Sequence, residues 1–131
     1  VTGNFPVMTQ ITIIIKGDSL LTKRLYDTGD GQVYPFDENL TLDGKECTMI
    51  VYEMPRKSKA NWVEKDVILN VESTTTANGS NGPADFISVE TWTVDNINNI
   101  LTISFKNNSY AGEVTGAFIF NRSDKNNING L

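Results

Sequence analysis

Apolar and polar residues alternate with a period of two along most of the chain, and β-branched residues recur from end to end. No window carries the i, i+3, i+4, i+7 apolar stripe of a helix bounded by caps. The pattern predicts an all-β protein. Its first hairpin runs from Thr9 to Lys16, turns at Gly17-Asp18 and returns along Leu20 to Tyr26, with Ile11, Ile13 and Ile15 on one strand face. Asp27 to Gly31 is a loop by composition. Val33 to Thr41 then leads into Leu42-Asp43-Gly44-Lys45, where Asp-Gly between β-rich flanks signals a hairpin. The following strand, Glu46 to Met54, ends at Pro55, because proline cannot donate to a ladder. Arg56 to Lys59 precedes a short strand, Ala60 to Val63, and a tight Glu64-Lys65-Asp66 turn returns the chain along Val67 to Thr76. Ala77 to Pro83 is made of turn formers with no large apolar anchor, and is expected to be a mobile loop at an open end of the domain. Phe86 to Val94 and Ile100 to Lys106 form a hairpin around Asp95 to Asn99, Glu113 to Asn121 is the last strand, and residues 123–131 read as a flexible tail.

Counted this way, eight to ten strands are joined by short connections without a crossover helix. Parallel pairing needs connections of about a dozen residues or more, so the strands are expected to run antiparallel, mostly up and down. A single sheet of that many strands curls or closes, and closure also removes its edges. The expected fold is therefore an antiparallel up-and-down β-barrel spanning residues 1–122, with a Greek-key sandwich as the alternative.

Composition narrows the chemistry. The 131 residues suit one domain. Histidine is absent and Cys47 is the single cysteine, which excludes Ser-His-Asp triads, Cys-His dyads, histidine-ligated metals and an internal disulfide. Cys47 itself reads as a small buried hydrophobe. Sixteen acidic residues against eleven basic ones leave a net charge of -5, which repels phosphate backbones, so nucleic acid is not an expected partner. No apolar run approaches the roughly 20 residues of a membrane-spanning helix.

The remaining clusters assign no catalytic residue, cofactor or metal. Glu72 and Glu90 fall on neighbouring strands and could approach as a carboxylate pair, but isolated glutamates on strand faces are ordinarily solvated. Asp27 to Gly31 and Asp124 to Gly130 lack the ligand spacing of a calcium loop. Arg56, Lys57 and Lys59, the one basic cluster, read as a solvated loop rather than an anion site.

A succession of short motifs adds to this reading. Ile11-Thr-Ile with Gly17-Asp18, Leu42-Asp43-Gly44-Lys45-Glu46, Lys59-Ala60-Asn61-Trp62, Leu69-Asn-Val71-Glu72, Glu90-Thr91-Trp92-Thr93-Val94, Leu101-Thr102-Ile103 and Phe118-Ile-Phe120-Asn121-Arg122 follow one another over nearly the whole chain. In order and spacing this resembles the lipocalin-like β-barrel domains of bacterial exported proteins, within the calycin superfamily. The resemblance implies a periplasmic or extracellular location and a small apolar ligand held inside the barrel, without enzymatic activity. Fatty-acid-binding relatives hold a carboxylate with an Arg-x-Tyr pair in the last strand, where this chain has Phe118 and Phe120. That departure favours a neutral ligand over a free fatty acid.

Trp92, Ile103, Phe105, Phe118 and Phe120 lie on three consecutive predicted strands, and period-2 counting puts Ile103 with Phe105 and Phe118 with Phe120 on common faces. If those faces point inward, the five line a ligand pocket. They serve equally well to fill a small barrel solid, in which case the protein is a structural or protein-interaction domain with no ligand.

Overall fold

The computed structural model describes residues 7–51, 53–79, 82–109 and 112–122. Those residues hold nine strands: β1 (Val7–Lys16), β2 (Ser19–Asp27), β3 (Val33–Thr41), β4 (Cys47–Val51), β5 (Met54–Glu64), β6 (Ile68–Gly79), β7 (Gly82–Asp95), β8 (Ile100–Ser109) and β9 (Gly112–Asn121). Every ladder is antiparallel and joins strands adjacent in sequence. The all-β, antiparallel, up-and-down reading therefore holds. The expected tail, residues 123–131, lies outside the described residues.

The strands form two sheets, β1-β2-β3 and β4-β5-β6-β7-β8-β9, and neither closes into a barrel. The division falls at Asp43-Gly44, where the sequence signals a hairpin and the structure has a corner. Gly44 takes a left-handed φ of +80°. The Asp43 carboxylate accepts from the Thr41 hydroxyl at 2.7 Å and from the Lys45 amide at 3.1 Å, which turns the chain locally. The backbone partners at this point belong to β5 rather than β4: Asp43 bridges Asn61, and the Gly44 amide donates to the Ala60 carbonyl at 2.9 Å. One seam between the sheets is thus stitched at the corner. Hydrogen bonding between β1 and β9 is absent from the described residues, so these two strands are edges.

Two further boundaries differ from the sequence reading. Pro55 sits inside β5, opposite Ile50, but the pairing of β5 with β6 begins at Arg56, so no ladder bond to β6 is lost at the proline. Ala77, Asn78 and Gly79 continue β6 and pair with Ala84, Pro83 and Gly82, so these residues are strand rather than the expected mobile loop; Ser80 and Asn81, the rest of that segment, lie outside the described residues.

Cross-strand register sorts the inner face of the larger sheet into rows. The lowest complete row is Trp62, Leu69, Trp92, Ile103 and Phe118; above it come Ala60, Val71, Glu90, Phe105 and Gly116. The next row is polar from Ser58 through Ser73 and Ser88 to Asn107 and ends on Val114, and Arg56, Thr75 and Phe86 stand above that. On the smaller sheet, Leu20 pairs with Leu40, Thr22 with Glu38, and Arg24 with Phe36. A bulge at Thr9 brings Met8 onto the face that carries Ile11 and Ile13. The apolar rows of both sheets make one core, centred on Leu20, Leu40, Leu69, Trp92 and Ile103.

Gly116 has a packing reason of its own. A Cβ at this position would lie 2.7 Å from Cζ of Phe105, because the phenyl ring covers the glycine. That ring stacks on Phe118 at a centroid distance of 5.1 Å. Gly116→Ala is expected to destabilise the fold by about 1–3 kcal/mol in urea denaturation, since the ring must leave its place. Phe105→Leu in the same background should recover part of the loss; equal stability of wild type and Gly116→Ala would show that the ring moves freely.

Candidate functional site

Two arginines and two glutamates cross the space between the sheets above the apolar rows. Arg24, on β2, is 3% exposed and donates from both terminal nitrogens to the two carboxylate oxygens of Glu90, on β7, each at 2.8 Å. The Trp92 indole N–H donates to the same carboxylate at 2.9 Å, and the Arg24 guanidinium lies 5.7 Å from the Trp92 ring centroid. The Tyr26 hydroxyl accepts from Arg24 at 3.1 Å. Glu38, on β3, is 2% exposed and accepts from Nε of Arg56, on β5, at 3.0 Å and from the Ser58 hydroxyl at 2.7 Å. Arg56 also donates to Ser73 at 2.9 Å and to Thr75 at 3.1 Å, and its guanidinium stands over the Phe36 ring. Each buried charge therefore has a partner of opposite sign and neutral hydrogen-bonding neighbours, the condition under which buried ions are tolerated.

Electrostatics follow from this geometry. Burial pushes the Glu90 carboxyl up, but Arg24, with its charge and its hydrogen bonds, and the Trp92 indole together outweigh burial and hold it below the ordinary carboxylate range. Burial likewise works against the charge on Arg24, and Glu90 reverses that effect, so the guanidinium stays charged throughout the accessible pH range. The basic cluster of the sequence is split by the pleat: Arg56 points between the sheets, whereas Lys57 and Lys59 are exposed on the outer face. Glu72 and Glu90 are separated in the same way. Glu90 is inside with Arg24, and Glu72 is exposed, accepting from the amide of Asn70 at 3.2 Å.

Above the charged layer the two sheets part to leave a cavity of about 420 Å³, open to solvent. Its walls come from the end of β2 with Tyr26, the start of β3 with Tyr34 and Phe36, and the β4–β5 hairpin with Val51 and Met54; Arg56 and Thr75 contribute its polar part. Thr28 and the two tyrosines add hydroxyls to a lining that is otherwise apolar. A cavity of this size suits a small organic molecule.

None of the five pocket residues expected from the sequence lines this cavity. Trp92 and Ile103 are buried at 3% and 0% exposure in the apolar core. Phe105, Phe118 and Phe120 are half-buried, in contact as an aromatic strip over Gly116 along β8 and β9. The cavity residues were open to detection as the only aromatic run of the smaller sheet, Tyr34-Pro35-Phe36 opposite Tyr26, but nothing in period-2 counting places them across from the β4–β5 turn.

The acidic loop after β2 is closed by its own bonds. Asp27 accepts from the Gly29 amide, and Asp30 accepts from the Thr28 hydroxyl and the Gln32 amide. Among the described residues no group of three or more acidic, cysteine or histidine side chains is placed to hold a metal ion, and no helix is long and apolar enough to cross a membrane. Cys47 is half-buried, with its sulfur 3.6 Å from the Thr41 hydroxyl. Comparison of the chain with models of protein families, with curated proteins and with solved structures finds no match in any of the three.

Because Glu90 titrates lower in the folded protein than in the unfolded chain, its contribution to stability is present above the unfolded value of about 4.3 and is lost as pH falls through the folded value. Urea denaturation at pH 7 and pH 3 is expected to show this loss. Glu90→Gln should lower stability at pH 7 by about 3–5 kcal/mol, by leaving Arg24 uncompensated, and should narrow the gap between the two pH values. An unchanged gap in the variant would assign the acid sensitivity to other carboxylates.

Proposed function

We propose that this protein is a non-enzymatic binding module that takes a small hydrophobic molecule between its two sheets. The observation that carries the reading is the apolar cavity of about 420 Å³ between Tyr26, Tyr34, Phe36, Val51 and Met54, floored by a charge layer that is already neutral. The lipocalin-like resemblance in the order and spacing of the sequence motifs supports it from a second side. In this reading the ligand occupies the mouth rather than the space around Trp92, Phe105, Phe118 and Phe120. A periplasmic or extracellular location belongs to the same proposal and rests on the resemblance; recovery of the full-length gene product from the cytosol alone would remove it.

The second reading is a structural or protein-interaction domain without a ligand. It is favoured by the dense packing around Leu69, Trp92 and Ile103, which leaves the lower interior filled.

Titration with the neutral solvatochromic dye Nile red separates the two. Saturable one-to-one binding is expected, weakened about fivefold or more by Tyr34→Ala or Met54→Ala, each of which removes apolar wall from the mouth. Phe118→Ala, in the strip away from the cavity, should change affinity less than twofold. Absence of saturable binding supports the structural domain, and loss of binding in Phe118→Ala alone would return the ligand to the aromatic strip.

A further inference from the structure

Tyr26 is the residue at which the cavity meets the Arg24–Glu90 pair. Its side chain lines the cavity, and its hydroxyl oxygen accepts from Nη1 of Arg24 at 3.1 Å. An accepted bond leaves the phenolic hydrogen to be donated elsewhere, and among the described residues the hydroxyl makes no donated bond. The adjoining guanidinium polarises the O–H and makes it a stronger donor.

The charges of the cations near the mouth are, by contrast, already matched, although Nε of Arg24 is buried without a hydrogen-bond partner among the described residues. Arg24 is matched to Glu90 by two bonds of 2.8 Å, and Arg56 is matched to Glu38 at 3.0 Å, with further bonds to Ser73 and Thr75. A ligand carboxylate entering here would lose its hydration and find each arginine already neutralised by a glutamate. A ligand with no polar atom would leave the phenolic hydrogen unused.

Resting on the binding reading above, we propose that the ligand class is a neutral, mainly apolar molecule carrying one hydrogen-bond acceptor of the carbonyl kind, and that Tyr26 is the specificity-determining residue that donates to it. The ring and the aromatic wall of Tyr34 and Phe36 hold the apolar body, and the hydroxyl selects the functional group. The remaining Nη1 hydrogen of Arg56 and the hydroxyls of Tyr34 and Thr75 are competing donors on the same wall, which the variants below separate.

Three probes of similar shape test this by displacement of Nile red: 2-acetylnaphthalene, 2-ethylnaphthalene and 2-naphthoate. In the wild type the ketone is expected to bind about three- to tenfold more tightly than the ethyl compound, the contribution of one good hydrogen bond. The carboxylate should bind more than tenfold more weakly than the ketone. In Tyr26→Phe the ketone-to-ethyl ratio should collapse to about one, whereas in Tyr34→Phe and Arg56→Met, which remove competing donors, it should stay within about twofold of the wild type; a ratio lost in either of these two would overturn the Tyr26 assignment even if Tyr26→Phe folds poorly. Equal binding of ketone and ethyl compound to the wild type, tighter binding of the carboxylate, or a ratio that survives Tyr26→Phe would each overturn the Tyr26 assignment while leaving a binding module. Failure of Nile red and all three probes to bind would overturn both readings.

Discussion

Two arginine–glutamate pairs, each with one buried and one partly buried member, join the sheets, and the placement of the cavity depends on them. Apolar side chains alone would let the two sheets close along their whole length, since burial of apolar surface is not directional. Four long charged side chains at the middle of the interior set a different distance and require partners across the gap. Arg24 must reach Glu90 and Arg56 must reach Glu38, because an unpaired ion in that position costs several kcal/mol. The layer they make is hydrogen-bonded below to Ser58, Ser73 and Trp92, with Nε of Arg24 its one nitrogen unpartnered among the described residues, and gives way to the mainly apolar mouth above.

This arrangement explains why the hydrophobic pattern reveals the strands but not the site. On β7 to β9 the inward residues are those a period-2 count selects: Trp92 and Val94, Leu101 and Ile103, Phe118 and Phe120. On β2 the count is ambiguous, since Leu21 and Leu25 compete with Thr22 and Arg24 for the inner face, and the structure places the polar pair inside. The same inversion puts Arg56, Ser58 and Ser73 inside. A charged residue in a strand is ordinarily read as facing water, and only its partner on a distant strand, 66 positions away for Arg24, makes the inner face the cheaper one.

Turn chemistry was legible in kind and less so in consequence. Gly17 with φ of +58° and Asn99 with φ of +57° sit in the hairpin turns that their residue types indicate, and Asp95 closes its turn by accepting from the amides of Ile97 and Asn98. Asp43-Gly44 has equally good local credentials for a hairpin, yet its backbone pairs with Ala60 and Asn61 of the other sheet. Local sequence specifies that the chain bends there; which strand receives it is decided by long-range packing. Within the expected loop at Ala77 to Pro83, residues 77–79 and 82–83 are strand for a related reason, because the β6–β7 ladder extends through residues with weak strand preference once the lower part of the hairpin is in register.

The central claim is that the Arg24–Glu90 pair acts as one unit holding the sheets at their working separation. A double-mutant cycle tests it directly, with Arg24→Met, Glu90→Gln and the double variant measured by urea denaturation at pH 7. Each single change leaves one charge buried without its partner, whereas the double change removes both and keeps an acceptor for the Trp92 indole. The account requires a double variant far more stable than the sum of the single losses, with a coupling of about 2 kcal/mol or more. Additive losses within about 0.5 kcal/mol would show that the two side chains do not depend on one another, and would contradict the account.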